Sequence, residues 1–185
     1  NIKITLPKYY YLSSNLNEQK TPKGTVNEFL LTGKQITEVL MNIDIKNNYK
    51  SFRTNEFEIK TDLYNADIDK KLSGDILNRQ LEFIQRFLGS YPHKKLFIDE
   101  ATQSKNPIYG LNQLPKFIRP FPDVFVWDLT IFKALSKKYI DNTLLLDKRH
   151  DNWLTDGLQT YLMMKYVSEY YPEIKLIGNI SKIWG

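Results

Sequence analysis

Cysteine is absent from the 185-residue chain. That excludes disulfides and thiolate metal sites, and it fits a cytoplasmic, periplasmic or surface protein equally well. Histidine is almost as scarce. Only His93 and His150 occur, and neither has a second histidine three or four residues away, so no single helical turn can present two imidazoles to a metal. Each sits among loop residues, Tyr91-Pro92-His93-Lys94 and Arg149-His150-Asp151, and reads as a surface imidazole. There is no glycine-rich phosphate loop, no dinucleotide fingerprint and no nucleophile elbow. No apolar run approaches the roughly 18–20 residues of a membrane span. Carboxylates are plentiful, but no spacing marks two of them as a catalytic pair. With no complete metal site and no complete catalytic constellation, the chain is not expected to work as an enzyme by itself.

What is present is enough for a packed core. Hydrophobic residues make up 42% and aromatic residues 14%, with 12 tyrosines and 10 phenylalanines, which is too apolar for a disordered chain. The length allows one domain or two small ones. The net charge is +5 and the pI about 9.1. The lysines are scattered, the densest pairs being Lys70-Lys71, Lys94-Lys95 and Lys137-Lys138. No arginine stripe is interleaved with aromatics, so the charge reads as a solvated surface and not as a nucleic-acid interface. The chain opens at Asn1-Ile2-Lys3-Ile4, without initiator Met or signal-peptide pattern, and is read as cut from something longer.

Periodicity divides the chain near residue 72. Before it, residues 26–31 form a candidate strand, and Met41, Ile43 and Ile45 alternate as in a half-buried strand. Phe57, Ile59, Thr61 and Leu63 share one face of another. Residues 15–24 are polar with Pro22 and Gly24, and are expected to be a loop. From Ser73 the period becomes helical. Ser73 or Asp75 is a candidate cap, and Leu77, Leu81, Ile84 and Leu88 form the apolar face. Ile76, Phe83 and Phe87 widen that face, and Gly89 stops the helix in the left-handed conformation. A buried strand is expected over residues 95–99. A second helix is capped by Asp123 and runs to about Tyr139 with Phe125, Leu129, Phe132 and Leu135 or Ser136 inside. A third runs from Asn152 or Trp153 to Tyr171, burying Leu154, Leu158, Tyr161, Leu162 and Tyr166.

One stretch on the third helix carries family information. Trp153-Leu154-Thr155-Asp156-Gly157-Leu158-Gln159-Thr160-Tyr161 resembles the W-L-x-E-G-x-x-x-Y helix of gluzincin metallopeptidases of the aminopeptidase N type. In that family the Glu of this helix is the third zinc ligand, and an H-E-x-x-H motif supplies the first two, with 18 residues between its second His and the Glu. The same interval back from Asp156 ends at Lys137, so the five residues in register are Lys133-Ala134-Leu135-Ser136-Lys137. The resemblance thus places Lys133 and Lys137 in the histidine slots and Ala134 in the general-base slot, with Asp156 in the carboxylate slot. Charged ammonium groups cannot ligate zinc, and an alanine cannot take a proton from bound water. Upstream, Tyr109-Gly110-Leu111-Asn112-Gln113 resembles the family's substrate-holding G-x-M-E-N strand, with Asn112 or Gln113 where the Glu would stand.

The resemblance implies an α+β fold. A β-rich segment over residues 1–72 resembles the end of an aminopeptidase N-terminal β-domain. A mainly helical, thermolysin-like (gluzincin) catalytic-domain fragment follows over residues 73–185. The family's transition-state tyrosine would fall beyond Gly185. The resemblance also suggests a periplasmic or cell-surface location, which no residue here independently supports. For function it implies a catalytically inactive, metallopeptidase-like domain without cofactor, either binding peptide or protein segments or serving as a structural part of a larger protein. Tyr109, Gly110, Asn112 and Gln113 are then the peptide-binding candidates. The alternative is a zinc metallopeptidase whose missing ligands lie outside this chain. A plainer account makes Lys133 and Lys137 solvent-facing lysines and Asp156 a partner of the helix dipole. The same plainer account puts Trp153 and Tyr161 in the core, whereas the degenerate-site reading expects Lys133, Lys137 and Asp156 to form a buried ion-pair cluster.

Overall fold

A computed structural model of the chain describes residues 1–36, 38–104, 108, 111, 121–144 and 150–174. The N-terminal part is built from β1 (Ile2–Pro7), β2 (Tyr11–Ser14), β3 (Asn17–Lys23), β4 (Val26–Thr32) and β5 (Met41–Asp44). β1, β4 and β3 form an antiparallel sheet in that order, and β2 pairs antiparallel with β5. Leu12, Leu16, Phe29 and Leu31 make its small core. β3 lies where a polar loop is expected over residues 15–24. It is an edge strand exposed along nearly its whole length. Neither of its faces therefore carries apolar alternation, and Pro22 is tolerated because an edge residue need not donate to a second neighbour. β5 corrects another expectation. Met41, Ile43 and Ile45 do alternate, yet they are 39%, 42% and 58% exposed, because the two-stranded ribbon leaves that face uncovered.

A third sheet contains β6 (Lys50–Arg53), β7 (Glu58–Thr61) and β8 (Lys95–Ile98). β6 runs antiparallel to β7, and β7 parallel to β8. Parallel neighbours require a crossover, which α1 (Lys70–Leu88) supplies, so this sheet takes strands from both sides of residue 72. Phe57, Ile59 and Thr61 are buried on one face, as their alternation predicts. The cap of α1 is Asp69, which accepts from the amides of Lys71 at 2.8 Å and Leu72 at 3.3 Å. Ser73 and Asp75 are already inside the helix, so the true start lies one turn earlier than the apolar pattern shows. Gly89 ends it at φ 75°, a value that favours glycine. Its ψ of −167° is extended, so the stop is not the left-handed turn expected.

α2 (Glu100–Ser104) follows β8, and then α3 (Asp123–Thr143) and α4 (Asn152–Tyr170) complete the described fold. Pro122, and not Asp123, occupies the cap position of α3 and makes no side-chain cap. α3 also runs one turn past Tyr139. It is buried nearly all round, on Val126, Trp127, Ile131, Ala134 and Ile140 as well as on the expected stripe. A helix of that kind lies at the centre of the packing, and α3 contacts α1, α4 and β8. α4 buries Leu162, Tyr166 and Val167. Its opposite face exposes Trp153 at 73%, Tyr161 at 48% and Leu154 at 40%, so the expectation that these three are core residues is wrong. α4 is apolar on two faces, and the sequence pattern does not say which one packs. No described helix is long and apolar enough to cross a membrane.

Glu18 ties the N-terminal sheet to the third one. Its carboxylate lies 3.2 Å from Lys60 on β7 and 3.2 Å from Lys95 on β8. It also accepts from the Ser14 amide at 2.8 Å. Burial alone would raise this carboxyl, but Lys60, Lys95 and the amide outweigh it and hold Glu18 below the usual value of 4.5. The stabilisation is therefore fully present above about pH 4.5 and is lost as pH falls through the lower, folded-state value. Glu18→Gln is expected to lower the melting temperature at pH 7, with the gap to the parent closing as pH drops below 4.5. A gap that stays constant down to pH 3 would show that the carboxylate charge contributes nothing.

Candidate functional site

Of the four residues that the motif resemblance singles out, Lys133, Ala134 and Lys137 fall on one stretch of α3, and Asp156 lies on α4. Lys133, Ala134 and Lys137 line a pocket of about 90 Å³ with Lys138, Gln159 of α4 and Ile98 at the end of β8. The pocket is held by a cross-helix contact: Gln159 Nε2 donates to the Lys133 carbonyl at 2.6 Å and reaches Ser136 Oγ at 3.4 Å. Side chains at i and i+4 share a helical face, which is why Lys133 and Lys137 open onto one space. Burial pulls the Lys133 ammonium below the usual lysine range, and nearby Asp156 works against that shift.

The expected buried cluster differs in two respects. Lys137 pairs with Asp141 one turn along α3, at 2.8 Å, and Asp156 is exposed on α4. Asp156 belongs to the first turns of a helix whose N-terminus is open to water, so its charge is solvated there. Asp156→Ala is accordingly expected to change unfolding free energy by no more than about 0.5 kcal/mol, measured by urea denaturation. A loss above about 2 kcal/mol would restore the buried-cluster account. Tyr109, Gly110, Asn112 and Gln113, the candidates for holding a peptide, lie outside the described residues. Of the two histidines, His150 is exposed and His93 stands edge-on to Tyr91 at 5.6 Å.

The donor set does not fit zinc. Two ammonium groups, a methyl group and one exposed carboxylate offer a single usable ligand where such a site needs three and an open position. Among the described residues no group of three or more His, Asp or Glu side chains could hold a metal ion.

Elsewhere on α3 lies a polar constellation that the sequence reading missed. Asp128 is wholly buried and pairs with Arg79 of α1. Tyr166 donates to its Oδ1 at 2.9 Å, and Tyr171 donates to Oδ2. Gln80 Nε2 donates to its main-chain carbonyl at 2.8 Å. Burial and then Asp128 push the Tyr171 phenol up to about 12. Burial and Asp128 raise Tyr166 as well, so both rings stay protonated and donate. Burial opposes the charge on Arg79, but Tyr166 and Asp128 outweigh it and hold the guanidinium above its usual range. The available signal was an aspartate set among apolar neighbours, Phe125-Val126-Trp127-Asp128-Leu129. The network ties α1, α3 and the C-terminal end of α4 to one another.

This order of β-rich segment, crossover helix, strand and two packed helices is the fold of part of an M1 zinc metallopeptidase. The crystal structure of M1 zinc metallopeptidase from Deinococcus radiodurans superposes with a TM-score of 0.58 at 12% identity, covering 90% of this chain and 39% of that one. A mutant of the same enzyme gives a TM-score of 0.56 at 11% identity, covering 90% and 40%. A two-domain M1 zinc metallopeptidase mutant bound to L-arginine gives 0.57 at 10%, covering 91% and 40%. The chain thus spans about two fifths of the length of these structures. At such identities the likeness establishes the fold alone. No family model matches the sequence, and no curated protein matches it.

Proposed function

We propose that this chain is a metallopeptidase-like domain that has lost its zinc chemistry and serves as a peptide- or protein-binding module or a structural part of a larger protein. The observation that carries this reading is the pocket wall itself. The fold is similar to that of part of a zinc metallopeptidase, and the slots the motif assigns to ligands and base hold Lys133, Lys137 and Ala134. With those side chains the pocket can attract a charge or receive a peptide group, but it cannot activate water through a metal. Peptide binding is supported by the resemblance of residues 109–113 to a substrate-holding strand, whose backbone could pair with an extended segment.

The chain is expected to retain no zinc after exposure to the metal and desalting, read by elemental mass spectrometry, and to release no product from aminoacyl or peptide substrates. About one tightly held zinc per chain would overturn the reading. The second reading, a zinc metallopeptidase completed by residues outside this chain, is supported by the partial span of its structural relatives. It predicts metal-dependent peptidase activity in a longer parent protein, abolished by Asp156→Ala.

A further inference from the structure

α4 carries a surface that the fold leaves uncovered. Trp153, Gly157, Thr160 and Met164 follow one another at helical spacing and share one face, on the side of the helix away from buried Leu162 and Tyr166. Leu154 and Tyr161 flank this stripe. The Phe87 ring of α1 extends it, edge-on to Tyr161 at 6.4 Å. Trp153, Leu154, Tyr161, Met164 and Phe87 are all exposed, and together they offer roughly 500 Å² of apolar surface. Each partner in a stable pair buries about 800 Å², a little over half of it apolar, so the patch has the size of the apolar centre of such an interface. No charged residue stands on the stripe, in a chain whose net charge is +5. Two copies can therefore meet here without setting lysine against lysine.

We infer that this face pairs with the same face of a second copy of the chain, the two α4 helices running antiparallel about a two-fold axis that passes between residues 158 and 159. A two-fold interface uses one patch twice, and the stripe is self-complementary in that register. At the centre Gly157 faces Thr160 of the second copy, and small residues there let two helix backbones approach closely. At both ends Trp153 faces Met164, an aromatic ring against a thioether. Glycine weakens a helix interior, and a side chain at position 157 would meet nothing within 4 Å inside the chain, so packing within one copy does not call for it. The Thr160 hydroxyl already donates to the Asp156 carbonyl at 2.8 Å, and covering it strands no donor.

Sedimentation velocity of the full chain from about 1 to 100 μM tests the inference, with a reversible dimer of roughly micromolar Kd expected. Trp153→Asp and Gly157→Glu should each weaken the dimer at least about tenfold. Both positions are exposed, so each variant should keep a cooperative melt followed by circular dichroism. The chain has no cysteine, and Thr160→Cys therefore introduces a single thiol, close to the axis. A short bis-maleimide should join two copies through it. The same reagent should not join copies of Lys71→Cys, whose thiol stands at the opposite end of α1 from Phe87. A chain that stays monomeric over the whole range would overturn the inference and leave the face to a segment of a different protein. A dimer that survives both substitutions, or that cross-links equally well through residue 71, would place the contact elsewhere and overturn it too.

Discussion

Asp128→Ala is expected to lower the unfolding free energy by about 3–5 kcal/mol, read as a shift in the urea midpoint with the slope unchanged. The wild-type carboxylate is fully buried and is served from two helices: Arg79 and Gln80 of α1, and Tyr166 on α4 with Tyr171 just beyond it. Truncation removes one partner and strands the others. A guanidinium loses its counter-charge, two phenols lose their acceptor, and a cavity opens beside Tyr166. Burying an ion pair is not in itself a large gain, because both charges first give up water. Breaking one is costly, because the survivor has nowhere to go. Arg79→Met should cost less, since Tyr166, Tyr171 and Gln80 still donate to the carboxylate and the Met stem keeps part of the contact with the rings. A loss under about 1 kcal/mol for Asp128→Ala would mean that water enters the network and serves it equally well.

Phe83→Ala is expected to cost a similar amount, about 3–5 kcal/mol. Phe83 has no exposed surface. Its ring meets Tyr166 edge-on at 5.3 Å and Phe132 at 5.7 Å, so it is an apolar point at which α1 touches both α3 and α4. The Phe132 and Tyr166 rings stack at 4.2 Å beneath it and cannot close the gap without breaking that stack. Phe87, one turn further along α1, is the internal control. It is 46% exposed, and Phe87→Ala should cost no more than about 1 kcal/mol. Similar losses for the two would show that the core relaxes around Phe83 more than close packing allows.

Much of the helical half was legible in advance. α1, β8, α3 and α4 carry long periodic patterns or dense apolar runs, and their positions follow from those patterns. The misses have physical causes. β3 is polar on both faces because it is a sheet edge in water, and so it reads as a loop. The start of α1 is set by the Asp69 cap, ahead of the apolar stripe of Leu77, Leu81, Ile84 and Leu88 from which the helix is read. Trp153 and Tyr161 are large and aromatic, yet burial depends on what packs against a face, and α4 offers two apolar faces where only one is covered. The Asp128 network joins Arg79 to Tyr171 across three elements, and no local spacing encodes such a junction.

The lysines at 133 and 137 divide the same way. Composition and spacing by themselves determined that no two imidazoles can meet on a helix, that a cysteine site is impossible, and that 18 residues separate Lys137 from Asp156 of the motif. These are facts of residue type and count, and folding cannot alter them. Only the tertiary structure decided where the charges go. It placed Lys133, Ala134 and Lys137 around one pocket, turned Asp156 to solvent, and gave Lys137 to Asp141. The reason is that an ion pair depends on distance and solvent access, and both are set by how α3 and α4 pack against each other.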